Sequence, residues 1–155
     1  MFMSDLTQVL EIERMLFTTP WDISSFKYEL EHKNTILKVA VFNEQNLPDG
    51  RRLDSLSSQV IGYVCIRTIL DVTHILNLAV PPKFRRLGIG SMLLRDALEE
   101  LRRSKPEARL ITLEVRESNT AAIKLYEKFG FKVMGRRIGY YQKPHEDAVI
   151  MGLEI

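Results

Sequence analysis

Gly88 and Gly90 close the hexapeptide Arg85-Arg86-Leu87-Gly88-Ile89-Gly90, which lies between an apolar run and an amphipathic stretch. The run at 74–80, His-Ile-Leu-Asn-Leu-Ala-Val, reads as a strand, and 89–103 reads as a helix. A strand that turns through glycines into a helix start gathers backbone N–H groups at the positive end of the helix dipole. That arrangement suits a phosphate or pyrophosphate. Without Cβ atoms, the two glycines would let the main chain approach the anion's oxygens. The same six residues also fit an ordinary turn with a glycine-softened helix start, and both readings stand at this point. Two nucleotide folds are disfavoured. Ser91 follows the second glycine directly, so the Lys-Ser/Thr of a P-loop is missing, and the spacing is one glycine short of G-x-G-x-x-G.

Other reactive residue types are sparse. His32 and His145 have no companions at metal-ligand spacing, so no metal is expected. His74 opens the third strand, where it is either a strand-edge residue or a second base with a pKa near neutrality. The single cysteine, Cys65, cannot form an internal disulfide, has no histidine close in sequence, and reads as a small buried hydrophobe. One cysteine favours an intracellular, cytoplasmic setting. Residues 1–5 lack the basic start and apolar core of a signal peptide, and the longest apolar runs are strand-length, so no membrane span is expected. A net charge of +2 implies no general nucleic-acid affinity. The local pairs Arg85-Arg86 and Arg136-Arg137 suit the neighbourhood of an anionic ligand as well as they suit RNA.

The elements that must position these residues fit one domain over 1–155. Residues 5–17 carry Leu6, Val9, Leu10, Ile12, Met15 and Leu16 at helical spacing, with Ser4 as N-cap. Thr19-Pro20-Trp21 breaks this helix, and a short second one follows to about residue 32. Strands are expected at 36–42 and 60–70, joined by an extended hairpin loop at 43–59 that is long for such a connection. After the third strand, the 89–103 helix repeats Ile89, Leu93, Ala97 and Leu101, and Lys105-Pro106 ends it. A fourth strand at 110–115 and a helix at 119–129 follow, the latter capped by Gly130. Strand-like 131–134 and 137–141 would pair with 148–153. Helices followed by a sheet with two αβ crossovers make an α/β pattern.

Leu78-Ala79-Val80 followed by Arg85-Arg86-Leu87-Gly88-Ile89-Gly90 resembles the R/Q-x-x-G-x-G/A coenzyme A loop of the GNAT acetyltransferases. Leu113-Glu114-Val115-Arg116-Glu117-Ser118-Asn119 and the stretch from Ala122-Ile123 through Phe129-Gly130-Phe131 resemble that family's second half. Thr19-Pro20-Trp21, Tyr140-Tyr141, Glu146-Asp147-Ala148 and Met151 are similar to its RimI/Ard branch, which acetylates protein N-termini. Family members usually open with a strand before the first helix, and here only three residues precede Ser4.

The resemblance implies the GNAT fold, a mixed sheet splayed between its third and fourth strands and flanked by helices. It implies acetyl-CoA as cosubstrate. Leu78, Ala79 and Val80 would pair with the pantetheine arm, and Arg85, Arg86, Leu87, Gly88, Ile89, Gly90 and Ser91 would cradle the pyrophosphate. Glu114 would be the general base, although its alternation against Leu113 and Val115 also fits a surface glutamate. Tyr126 would be the general acid and touch the cofactor, with a core aromatic as the plainer alternative. Asn119 would cap its helix and bond the cofactor arm. Phe17, Pro20, Trp21, Tyr140 and Tyr141 would line a peptide groove, and strand alternation allows only one of the two tyrosines to face it. The implied partner is a protein N-terminus, either of a ribosomal protein or of nascent chains more broadly. A small-molecule amine, a lysine side chain, or a coenzyme A sensor without catalysis are the competing functions.

Overall fold

The computed structural model describes residues 1–42 and 58–155. The expected 43–59 loop falls outside the described residues except at its end, where Gln59 already belongs to a strand. A 3-10 turn, Met3–Asp5, leads into helix α1, Leu6–Leu16, and α2 follows at Ile23–Glu31. Ser4 does not cap α1. Asp5 takes that position without a side-chain cap, its carboxylate instead accepting from Phe2 N–H at 2.6 Å at the start of the 3-10 turn. Asp22 caps α2 through Ser25 N–H at 2.7 Å.

Six strands form one sheet: β1 Thr35–Phe42, β2 Gln59–Ile69, β3 Val72–Ala79, β4 Leu110–Arg116, β5 Lys132–Gln142 and β6 His145–Glu154. Their spatial order is β1-β2-β3-β4-β6-β5, with only β3 and β4 parallel among neighbours. No strand precedes α1 among the described residues. Helix α3, Ile89–Ser104, crosses from β3 to β4, and α4, Thr120–Lys128, crosses from β4 to β5. The first crossover joins parallel neighbours; the second passes β6, which fills the place between β4 and β5.

Both faces of the sheet are covered. Leu93, Leu94, Ala97, Leu98 and Leu101 of α3 pack with Ile111, Leu113 and Val115 of β4, with Tyr126 of α4 and with Phe131. The opposite face carries a smaller core in which Leu6, Val9 and Ile12 of α1 and Phe26 of α2 meet Tyr63 and Ala79. Residues on β4 therefore divide cleanly: Leu113 and Val115 point to the α3 side, and Thr112, Glu114 and Arg116 to the α1–α2 side.

The sheet opens at its centre. β3 and β4 pair only at Val72–Leu110, Thr73–Ile111 and His74–Thr112. Just beyond, the β2–β3 register shifts so that Leu76 is an extra residue between Ile75 and Asn77. A bulge bends and twists its strand, which carries β3 away from β4. From Ile75 onward, β3 keeps β2 on one side and presents an unpaired backbone edge on the other.

Candidate functional site

The glycine turn sits where the open strand ends. Arg85 Nε donates to Val80 C=O at 3.0 Å, pinning the turn to the chain just past β3. Arg86 adopts φ 65° and Gly88 φ 80°, both left-handed. For arginine this is an uncommon backbone state, held by its surroundings. Left-handed residues flanking Leu87 make successive N–H groups converge on one concavity. Gly88 caps α3, and Met92 N–H is the first to bond back, to Gly88 C=O at 2.9 Å. The N–H groups of Ile89, Gly90 and Ser91 are thus the free donors of the helix start.

The two glycines differ in a way that can be measured. A Cβ on Gly88 would meet nothing within 4 Å but would be forced into left-handed backbone. A Cβ on Gly90 would make only an ordinary contact, 3.5 Å from Leu125 Cδ2, in helical backbone. Gly90→Ala should therefore keep or slightly raise the melting temperature, since alanine favours a helix by up to about 1 kcal/mol. Its KM for acetyl-CoA should nonetheless rise roughly tenfold if anion oxygens approach that main chain, a loss of about 1.4 kcal/mol. An unchanged KM would remove the anion from this turn.

Glu114 lies at the far lip of the opening. Its carboxylate is about one quarter exposed and pairs with Arg137 of β5 at 3.2 Å. Arg137 reaches there across β6 because its partner in the ladder is the small Ala148, which is also the partner of Arg116. The Tyr141 hydroxyl makes a long hydrogen bond, 3.5 Å, to the Glu114 carbonyl. The Arg116 guanidinium lies 4.0 Å from the Tyr141 ring centroid. Arg116 is itself held by Glu146 at 3.2 Å and by the Lys143 carbonyl at 2.9 Å. Burial and the neighbouring Tyr140 push the Tyr141 phenol up, against the pull of Arg116.

Strict alternation would send Tyr140 and Tyr141 to opposite faces, and the structure departs from it. β5 shifts register between Arg137 and Tyr141, with Gly139 at φ 60° inside the shift. The two rings meet edge-to-face at 5.0 Å, and Tyr140 also lies under Arg137 at 5.3 Å. A bulge has turned neighbours in sequence into neighbours in space.

Tyr126 comes from the other side of the sheet. Its ring is 6% exposed within the larger core and meets Phe131 at 5.6 Å. The hydroxyl makes no hydrogen bond among the described residues. Burial raises the phenol well above its ordinary value, and Tyr141 adds to the effect. The Tyr126 ring is thus the core aromatic of the plainer alternative. Asn119 accepts from Ala122 N–H at 3.2 Å, the expected cap, which leaves its Nδ2 as a donor. His74 Nδ1 lies 2.8 Å from Thr112 Oγ1, on the same face of the sheet as Glu114.

Glu114, Tyr140 and Tyr141 are thus brought into one neighbourhood together with Arg116 and Arg137, while Tyr126 packs in the core on the α3 side of the sheet. Phe17 and Trp21 instead pack, half-buried, on the α1–α2 core, and Pro20 is exposed beside them. They share the Glu114 face of the sheet, but no hydrogen bond or ring contact joins them to the Glu114 group among the described residues. No cluster of three His, Cys, Asp or Glu groups able to hold a metal occurs among the described residues. No helix there is long and apolar enough to cross a membrane.

The parallel strand pair thus parts at a bulge, with a converging N–H turn at its mouth. Residues 6–131 match the Acetyltransferase (GNAT) family, and the chain belongs to it. A Bacillus subtilis protein named provisionally as a ribosomal protein bS18-alanine N-acetyltransferase is 36% identical over the whole chain and 93% of its own length. The Salmonella typhimurium ribosomal protein bS18-alanine N-acetyltransferase is 32% identical over 98% of this chain and 93% of its own. The crystal structure of the Escherichia coli ribosomal-protein-S18-alanine N-acetyltransferase superposes with TM-score 0.81 at 29% identity, covering 100% of this chain and 90% of that one. Arabidopsis thaliana NAA60 solved with acetyl-CoA shares the fold, with TM-score 0.82 at 21% identity over 99% and 94% of the two chains.

Proposed function

We propose that this enzyme transfers the acetyl group of acetyl-CoA to the α-amino group of a protein N-terminus, the N-terminal alanine of a ribosomal protein being the favoured acceptor. The observation that carries the chemistry is the opening between β3 and β4, flanked by the glycine turn on one side and the Glu114–Tyr141 group on the other. Full-length similarity to bS18-alanine acetyltransferases supports the choice of acceptor.

The thioester supplies an activated acetyl carbon, and the chain's own residues do the rest. The unpaired edge from Leu78 of β3 to Val80 just past it binds the pantetheine arm as a surrogate strand. A backbone N–H there polarises the thioester carbonyl. The turn from Arg85 to Ser91 holds the pyrophosphate. Glu114 takes the proton from the incoming amine, directly or through water; a free α-amino group has a pKa of about 8, so a modest pull suffices. Tyr126, held protonated by burial, donates to the leaving sulfur. Its phenol is a weaker acid than a thiol of pKa about 8.5, so its main contribution is a hydrogen bond to the developing thiolate. Tyr140 and Tyr141 line the groove for the first residues of the peptide, with Phe17, Pro20 and Trp21 on its other wall.

A panel of peptides beginning Ala, Ser, Met and Met-Leu tests this reading. Acetylation of the alanine peptide alone, or of alanine and serine, is the expected result. Equal turnover of all four would indicate a broad N-terminal enzyme. Turnover of free polyamines or aminoglycosides with none of any peptide would overturn the proposal.

A further inference from the structure

Glu13 is a buried carboxylate that the mechanism does not use, 1% exposed on the packed face of α1. An unpaired charge there would be strongly destabilising, and an apolar residue would pack as well. Hydrogen bonds tie its side chain to two strands. The Tyr63 hydroxyl of β2 donates to Oε1. Asn77 Nδ2 of β3 donates to the same oxygen at 2.7 Å. Burial pushes the carboxyl up, against the downward pull of Tyr63 and of the Trp21 backbone N–H in the α1–α2 connection. The Glu13 carbonyl also accepts from Phe17 N–H at 2.9 Å.

The aromatic rings close the same circuit. Trp21 meets Phe26 at 5.3 Å, and Phe26 meets Tyr63 at 5.6 Å. Asn77 directly follows the bulge residue Leu76, where β3 leaves β4.

We infer that Glu13 is a positioning residue for the acceptor, fixing the segment that carries Phe17, Pro20 and Trp21 against the bulge of β3. The inference builds on the proposed function insofar as that segment walls the peptide groove. Glu29 is the natural control: it is also a buried carboxylate, but it binds Arg67 at 2.8 Å and Thr35 at 2.7 Å, tying α2 to β1 and β2.

Trp21 is the sole tryptophan, so its fluorescence reports on this segment alone. The experiment compares acrylamide quenching of Trp21 and steady-state kinetics with an alanine peptide in wild type, Glu13→Gln, Asn77→Ala and Glu29→Gln. In Glu13→Gln, and more weakly in Asn77→Ala, quenching should increase. The peptide KM should rise about tenfold, the equivalent of one charge-assisted hydrogen bond, with kcat and the acetyl-CoA KM within about threefold of wild type. Glu29→Gln should lower the melting temperature and leave both readouts in place. Asn77→Ala keeps the test decisive should Glu13→Gln fail to fold. Unchanged quenching in both Glu13→Gln and Asn77→Ala overturns the inference, as does an equal response in Glu29→Gln. A wild type inactive on every peptide would defeat the proposed acceptor, and the quenching arm would still decide the role of Glu13.

Discussion

Glu114→Gln is expected to slow acetyl transfer at pH 7 by roughly 10²–10³-fold, within the range a positioned general base supplies. The loss should fall in kcat, with acetyl-CoA KM near wild type, because Glu114 stands across the opening from the glycine turn. Folding should be little affected: the partner left behind, Arg137, has a half-exposed side chain, and such pairs contribute at most about 1 kcal/mol. The pH dependence gives the sharper reading. A base is needed only while the acceptor is an ammonium, and the free α-amine has a pKa of about 8. Raising the pH from 7 to 9.5 should therefore narrow the gap between variant and wild type. A variant as fast as wild type at pH 7 would show that Glu114 is the exposed sheet residue its alternation also allows.

Tyr126→Phe is expected to lower kcat by about 10–100-fold, the equivalent of one hydrogen bond to a charged atom, about 1.5–3 kcal/mol. The ring remains, so its packing against Phe131 and the cofactor KM should persist. The hydroxyl has no partner to abandon among the described residues, so the melting temperature should stay within a degree or two, or rise. An unchanged kcat would return Tyr126 to the core alone. Burial holds this phenol protonated across the working pH range, so the variant's deficit should not vary between pH 6 and 9. That behaviour contrasts with Glu114→Gln, and the pair of profiles separates the two roles.

Much of this architecture is legible in the sequence because it rests on local signals. The period of Ile89, Leu93, Ala97 and Leu101, the stop at Lys105-Pro106 and the cap at Asn119 set α3 and α4 to within a residue or so. Alternation in 110–115 placed Leu113 and Val115 opposite Glu114, as found. The remainder depends on contacts that no window contains. The parting of β3 from β4 is a matter of backbone pairing, and its bulge residue, Leu76, looks like any other strand leucine. The contact of Arg137 with Glu114 requires β6, last in sequence, to lie between their strands with an alanine at the crossing point. The adjacency of Tyr140 and Tyr141 depends on the Gly139 shift, which overrode alternation. Glu13 interrupts an apolar stripe, and only Tyr63 and Asn77, 50 and 64 residues away in sequence, explain why. Arg86 gives no sign in its residue type of a left-handed backbone.

Mass spectrometry of the host's N-terminal peptides, with and without this protein, tests most directly whether its acceptor is an α-amine at a protein N-terminus. An α-acetyl group should disappear from the N-terminal alanine of a ribosomal protein when this protein is removed and return when it is restored. The Glu114→Gln variant should fail to restore it. N-terminal acetylation that is identical in both strains, alongside acetyl groups lost from lysine side chains or small amines, would contradict an α-amine acceptor.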